Sequence, residues 1–265
     1  MVSIVVCVKA VPDPEKADEI RIDPVTKALP RQDVPLVINP LDRNALEAAL
    51  QFKEGGKVHI TVVSMGPPPA GKVVKECLAL GADEGILLSD PAFAGADAYA
   101  TAFTLAKAIQ KLDKTDCILC GRASSDGATE WVGPELATFL GIPVVTMVRE
   151  FVATGDERWK VKADLADGYR LVEVEMPAVF TVTKDLNTPR TLRYSGIIKA
   201  RKKGITTWGL DELDVSESSV GLKGSPTVMS DLTYVERKST CQFIEGTLEE
   251  KADFLIQKMM EVGVL

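Results

Sequence analysis

The chain predicts an α/β fold: an open, mostly parallel sheet with helices on both faces, an antiparallel β appendix and a C-terminal arm. Three observations carry this. Continuous apolar runs of strand length alternate with helical segments of ten to fifteen residues through residue 148, the pattern of βαβ units. Past Arg149 the pattern switches to period-two alternation broken by Gly-Asp and Asp-Gly turns, as in antiparallel hairpins. A Ser/Gly-rich stretch at residues 214–231 then precedes one amphipathic helix.

In order, residues 4–8 read as a first strand, apolar throughout as a two-sided parallel strand is. Residues 19–22 suggest a short strand between Pro-containing turns. Asn39, Pro40, Leu41 and Asp42 open a helix that runs to about Lys53, with Leu41, Ala45, Ala48, Ala49 and Phe52 as its stripe and Gly55-Gly56 as its stop. Residues 58–63 form a second strand, and Met65 starts a Gly-Pro turn. Residues 73–80 are a helix ended by Gly81, residues 85–88 a third strand, and residues 97–112 an Ala-rich helix. After the next strand and helix, residues 144–148 and 178–182 are further strands. The run 151–153 and the alternating segments 159–162 and 169–174 make the antiparallel appendix.

The stretch with the most chemistry is residues 116–136. Residues 117–120 form a buried strand, residues 121–127 a loop rich in Gly, Ser and Asp, and a helix is expected from about Thr129, with Pro134 in its first turn. Strand, small polar loop and helix start together suit a phosphate: the free N–H groups of the first turn and the helix dipole both favour an anion. Gly127 and Gly133 allow close backbone approach, and Ser124, Ser125 and Thr129 offer hydroxyl donors. Asp126 repels phosphate, so it either caps the helix or accepts from a ribose hydroxyl. The competing account is an ordinary, well-capped strand-to-helix turn, since the loop carries neither G-x-G-x-x-G nor G-x-x-x-x-G-K-[ST]. Lys9, at the end of the first strand, is a solvated charge or an anion contact.

Composition narrows the classes. With 265 residues, 46% of them hydrophobic, a large core is available. A net charge of −7 argues against a general nucleic-acid binder. No apolar run is long enough to span a bilayer, and the N-terminus reads as a strand without a basic leader, so a cytoplasmic chain is expected. Five cysteines without an export signal suggest reduced thiols, and Cys117 and Cys120 fall on opposite faces of one strand, unsuited to one metal. With His59 as the single histidine, a His-based triad or metal site is excluded as a working idea. Residues 184–209 show little periodicity. Arg190, Arg193, Lys199, Arg201, Lys202 and Lys203 are interleaved there with Tyr194, Ile197 and Ile198, either as a solvated basic loop or as a docking segment. The capping-box pattern at residues 247–250 starts the last helix.

Taken together, several short segments resemble the β subunit of electron-transfer flavoproteins. They are Val8-Lys9, Ile38-Asn39-Pro40, Ser64-Met65-Gly66-Pro67, residues 78–83, Gly121-Arg122 followed by Asp126-Gly127-x-Thr129, Leu186-Asn187-x-Pro189-Arg190, and Ile198-Lys199-Ala200. The resemblance covers essentially the whole chain. It implies a heterodimer with an α subunit holding an electron-transferring FAD, and a second nucleotide in this subunit: AMP in one branch, FAD in the other. The FAD branch takes a hydride from NADH and splits the electron pair, with ferredoxin or flavodoxin as one acceptor. The contacts it implies are Cys7, Lys9, Asn39, Pro40, Leu41, Asp42 and Met65. To these it adds Asp126, Gly127, Ala128, Thr129, Glu130, Val132, Gly133 and Pro134, with Asp97 and Thr101 near a flavin ring. The run Ala92-Phe93-Ala94-Gly95-Ala96-Asp97 leans to the FAD branch. Ala128, Glu130 and Trp131 depart from its usual loop, which keeps AMP as the alternative. The implied division is a nucleotide-binding domain (1–184), a partner-recognition loop (185–209) and an arm (210–265) whose helix packs on the α subunit. Docking to an acyl-CoA dehydrogenase-type partner falls on Arg190, Tyr194, Ile197 and Ile198, with Tyr194 where Leu is usual. A universal-stress-type nucleotide sensor is the rival class, and it does not account for residues 186–203 or the arm.

Overall fold

The computed structural model describes residues 1–19, 35–155, 157–228 and 241–264. The short strand expected at 19–22 falls almost wholly outside these, as do Asp156 and the end of the expected linker. The described chain divides into Met1–Ser230 and Asp231–Leu265.

In the first unit, strands β1 (Val2–Cys7), β2 (Ala10–Pro12) and β3 (Leu36–Ile38) precede helix α1 (Pro40–Gly55). β4 (Val58–Met65), α2 (Gly71–Leu80), β5 (Glu84–Leu88), α3 (Ala98–Gln110), β6 (Cys117–Gly121) and α4 (Val132–Leu140) follow. Then come β7 (Val144–Thr154), β8 (Arg158–Leu165), β9 (Gly168–Glu175), β10 (Ala178–Val182), α5 (Tyr194–Arg201) and β11 (Thr206–Trp208). The sheet order is β11-β5-β4-β1-β6-β10-β7-β8-β9, parallel through β7 and antiparallel beyond it; β2 and β3 form a separate two-stranded ribbon.

The two faces of the sheet bury different residues, as period two requires. Val6, Val62, Cys117 and Phe180 pack with α1 and α2, while Val5, Val63, Ile118, Cys120 and Val179 pack with α3 and α4. Cys117 and Cys120 therefore point to opposite sides. The expected βαβ architecture and the helices on both faces are present.

Several details refine or differ from expectation. α4 starts at Val132, three residues later than the pattern suggested, because Ala128 (φ 48°) and Glu130 (φ 62°) hold left-handed backbone that a helix cannot continue. Residues 144–148 and 151–153 are one strand, β7, with irregular register against β8. The antiparallel strands extend the main sheet, since Phe151, Trp159 and Phe180 cluster with Phe52 of α1 at ring-centroid distances of 5.0–5.5 Å. Residues 184–209, expected as a loop, contain α5 and end in β11, which pairs with β5. The start of the expected linker also folds: Val220 is buried in the core, between short helical turns at Glu217–Ser219 and Gly221–Gly224.

Among its described residues the second unit carries one helix, Leu248–Glu261, opened by the expected capping box of Thr247 and Glu250.

Candidate functional site: the mouth between β1 and β6

The chain builds outward from β1 in one direction through β4 and β5, then returns to place β6 on its other side. The carboxyl ends of β1 and β6 thus flank a topological switch point, where open α/β sheets take their ligands.

Buried polar side chains of α1 hold this mouth together. Asp42, in the first turn of α1, accepts from the backbone N–H of Lys9 (2.8 Å) through one oxygen and from that of Gly121 (2.8 Å) through the other. Asn39, 1% exposed, donates to the Ala123 carbonyl (2.9 Å) and accepts from the Ser125 N–H (3.0 Å), while its own N–H donates to the Lys9 carbonyl. The end of β1, the start of α1 and the loop after β6 are therefore one bonded cluster. β6 comes so near α1 that a Cβ at Gly121 would lie 2.6 Å from both Asp42 Oδ1 and Leu41 Cβ.

Burial pushes the Asp42 carboxyl up to about 6, against the lowering pull of the Lys9, Gly121 and Asn39 hydrogen bonds and the Lys9 charge. Burial, and then the Asp42 charge, pushes the Cys7 thiol up to about 12, so Cys7 is an inert wall of the mouth.

The loop beyond β6 shows its backbone. Among the described residues, no hydrogen bond takes the N–H groups of Thr129, Glu130, Trp131, Val132 or Gly133, and no side chain caps α4. Five successive N–H groups at a helix N-terminus are suited to phosphate oxygens. The left-handed conformations of Ala128 and Glu130 set this run, a local strain of the kind found at ligand sites. Gly133 brings α4 onto the sheet: a Cβ there would lie 2.3 Å from Thr181 Cγ2. Ala128, Thr129, Glu130, Trp131 and Pro134 line a cavity of about 370 Å³.

Asp126 does not cap α4. It forms an ion pair with Lys9 (2.6 Å), whose ammonium also reaches Ser124 Oγ (3.4 Å). Lys9 is thus neither idle nor merely solvated. Arg122, part of the Gly121-Arg122 segment but not among the expected contacts, pairs with Glu130 at 3.6 Å. Among the described residues, Lys9 and Arg122 thus lie in and beside this loop, each paired with one of its carboxylates.

Met65 ends β4 on the α3 side of the sheet. Asp97 caps α3: one oxygen accepts from the Ala100 N–H and the other from the N–H and hydroxyl of Thr227 (2.9 and 2.7 Å). Burial alone would raise its pKa; these bonds and the Ser225 hydroxyl bring it below the usual carboxylate value. Thr101 lies one turn into α3, half-buried, its N–H on the Asp97 carbonyl. Asp97 also influences α4, since burial and then the Asp97 charge raise the Glu135 carboxyl. Nothing in the local sequence marks Ser225, Thr227 or Glu135.

The expected docking residues separate. Tyr194 is 75% exposed and Ile198 46%, whereas Ile197 is half-buried. Arg190 turns inward and bonds Glu47 and Glu54 of α1.

Fold and mouth together define a doubly wound α/β protein with open backbone N–H groups at its switch point. The comparisons narrow this class. A family model described as the electron transfer flavoprotein domain matches residues 26–213. The chain is 45% identical, over 98% of both sequences, to the electron transfer flavoprotein subunit beta of Clostridium acetobutylicum. It is 41% identical, over 99% of both, to the caffeyl-CoA reductase-Etf complex subunit CarD of Acetobacterium woodii. It is 36% identical, again over 99% of both, to the acryloyl-CoA reductase electron transfer subunit gamma of Anaerotignum propionicum. The chain belongs to the electron transfer flavoprotein family, as a β subunit.

Proposed function

We propose that this chain is the nucleotide-holding half of a heterodimeric electron carrier, with FAD at the β1/β6 mouth and a second FAD in its α subunit. The observation that carries this is the run of open N–H groups from Thr129 to Gly133 at the switch point. In this reading those groups and the Thr129 hydroxyl hold phosphate, Lys9 and Arg122 offset the Asp126 and Glu130 carboxylates beside it, and Asn39 and Asp42 keep the three loops in register. Bound FAD would supply the redox chemistry, and the protein would position it and exclude water.

FAD is favoured over AMP by the segment 92–97 and by likeness to chains named for reductase-linked electron transfer complexes. With FAD here, the heterodimer would accept a hydride from NADH and divide its electrons between an acyl-CoA dehydrogenase-type partner and ferredoxin or flavodoxin. With AMP, this subunit would be a scaffold. Residues 1–184 then serve the nucleotide, 185–209 the partner and 210–265 the α subunit, in the cytoplasm. Among the described residues, no helix is long and apolar enough to cross a membrane.

The test is the nucleotide content of the purified heterodimer. Two FAD per heterodimer, bleached by NADH, is the expected result. One FAD and one AMP would select the scaffold version, and no nucleotide in this subunit would overturn the assignment.

A further inference from the structure

We propose that the ion pair between Glu47 and Arg190 is a positioning device for partner docking, and that Glu47, on the nucleotide-domain helix α1, is a positioning residue for that encounter. The inference rests on the reading of residues 185–209 as the docking segment.

Arg190 places four nitrogens on two carboxylates. Its backbone N–H (3.1 Å) and Nε (2.7 Å) donate to Glu47 Oε2, Nη2 (2.9 Å) donates to Glu47 Oε1, and Nη1 (2.7 Å) donates to Glu54 Oε1. Such a fork fixes direction as well as distance. One helical turn before Glu47, the Asn44 amide donates to the Asn187 carbonyl (2.8 Å), and the Asn187 amide donates back to the Asn44 carbonyl (3.0 Å). Residues 187–190 are thereby sewn to α1 by side chains 143 positions away in sequence.

Beyond the exposed stretch, the segment is pinned again. Gly196 lies so close to α2 that a Cβ would stand 2.1 Å from the Ala79 carbonyl oxygen, and Ala200 is buried in the core. Between the two pins, Leu192, Arg193 and Tyr194 face solvent. A span held at both ends presents its apolar anchor in one attitude, and that lowers the ordering cost of binding. With the exposed side of α5 beyond it, the surface is apolar at Leu192, Tyr194 and Ile198 and basic at Arg193, Arg201 and Lys202. It fits an apolar cleft with an acidic rim on a redox partner.

Stability alone does not require this arrangement. Glu47 is 5% exposed, and a well-packed apolar pair would hold two elements together as firmly as a buried ion pair. What the fork adds is orientation.

The test uses the full heterodimer, reduced by a purified short-chain acyl-CoA dehydrogenase and its acyl-CoA. Glu47→Gln and Arg190→Lys should each raise the KM for the heterodimer about tenfold, with kcat and flavin content unchanged. Backbone hydrogen exchange should accelerate at residues 187–195 and nowhere else. Arg190→Lys keeps the charge and serves if Glu47→Gln fails to assemble. Tyr194→Ala is the control for the docking reading. If Tyr194→Ala raises KM while neither lock variant does, the positioning role is overturned and docking stands. If all three leave KM unchanged, the docking reading itself falls.

Discussion

The mouth between β1 and β6 and the segment from Asn187 to Arg201 are built on opposite plans. At the mouth, the side chains of Asp42 and Asn39 turn inward onto backbone groups, and the loop offers its own backbone outward at 129–133. In the segment from Asn187 to Arg201 the charged side chain of Arg190 turns inward, and apolar side chains are offered outward at Tyr194 and Ile198. Backbone N–H groups suit a small anion of fixed geometry; a tyrosine and an isoleucine suit a protein surface. Both plans rely on one helix: Asn39 precedes α1 and turns its side chain to the loop after β6, Asp42 lies in the first turn of α1, and Glu47 follows a little over one turn later.

The contrast should appear first in the response to pH. Asp42 holds its proton more tightly in the fold than its ordinary 3.8, up to about 6, so its contribution to stability falls as pH rises through that window, by about 3 kcal/mol. Glu47 behaves oppositely. Burial raises its pKa, but the Arg190 bonds outweigh this and leave it below 4.5, so its contribution is complete above 4.5 and is lost as pH falls through the lowered value. Urea unfolding of the wild type, Asp42→Asn and Glu47→Gln across pH 3–7 checks both signs. Parallel curves for the three proteins would erase the distinction.

Asp42→Ala is the next largest. It orphans the Lys9 and Gly121 N–H groups, and relief of the buried charge offsets part of that loss, for a net of about 2 kcal/mol. Nucleotide should be lost on gel filtration while Tyr194-dependent docking contacts persist. Retained nucleotide would show that the clamp is dispensable. Gly133→Ala should destabilise by about 1–3 kcal/mol, because α4 must back away from Thr181; a denaturant midpoint equal to that of the wild type would contradict the close packing. Thr129→Val keeps shape and removes one donor, so nucleotide affinity should drop by about 1 kcal/mol in a titration, with the midpoint unmoved. Tyr194→Ala should have the smallest effect on the fold, within about 0.5 kcal/mol, since the ring is exposed; its effect should be confined to partner kinetics.

Much of the mouth was legible because its parts are local. The apolar runs of β1, β4 and β6, the Asn39-Pro40 helix start and the small polar loop each carry their signal within ten residues. The late start of α4 was hidden, because Glu130 is an ordinary helix residue in composition and only its left-handed backbone forbids the helix. α5 was hidden for a related reason. Its basic, weakly periodic sequence has little helical signal, and it packs through Gly196 on Ala79 and through Ala200. The Asp97–Thr227 and Glu47–Arg190 bonds span 130 and 143 positions, beyond any pattern.

The sequence alone determined the parallel α/β class, the family and the strand-loop-helix at the sheet edge, because hydrophobic period and turn chemistry are written residue by residue. Only the tertiary structure decided which backbone groups stay open, that Asp126 meets Lys9 and does not cap α4, and that Arg190 faces inward. Those outcomes depend on which distant charges and carbonyls the folded core brings within hydrogen-bond reach, and a linear pattern holds no such distances.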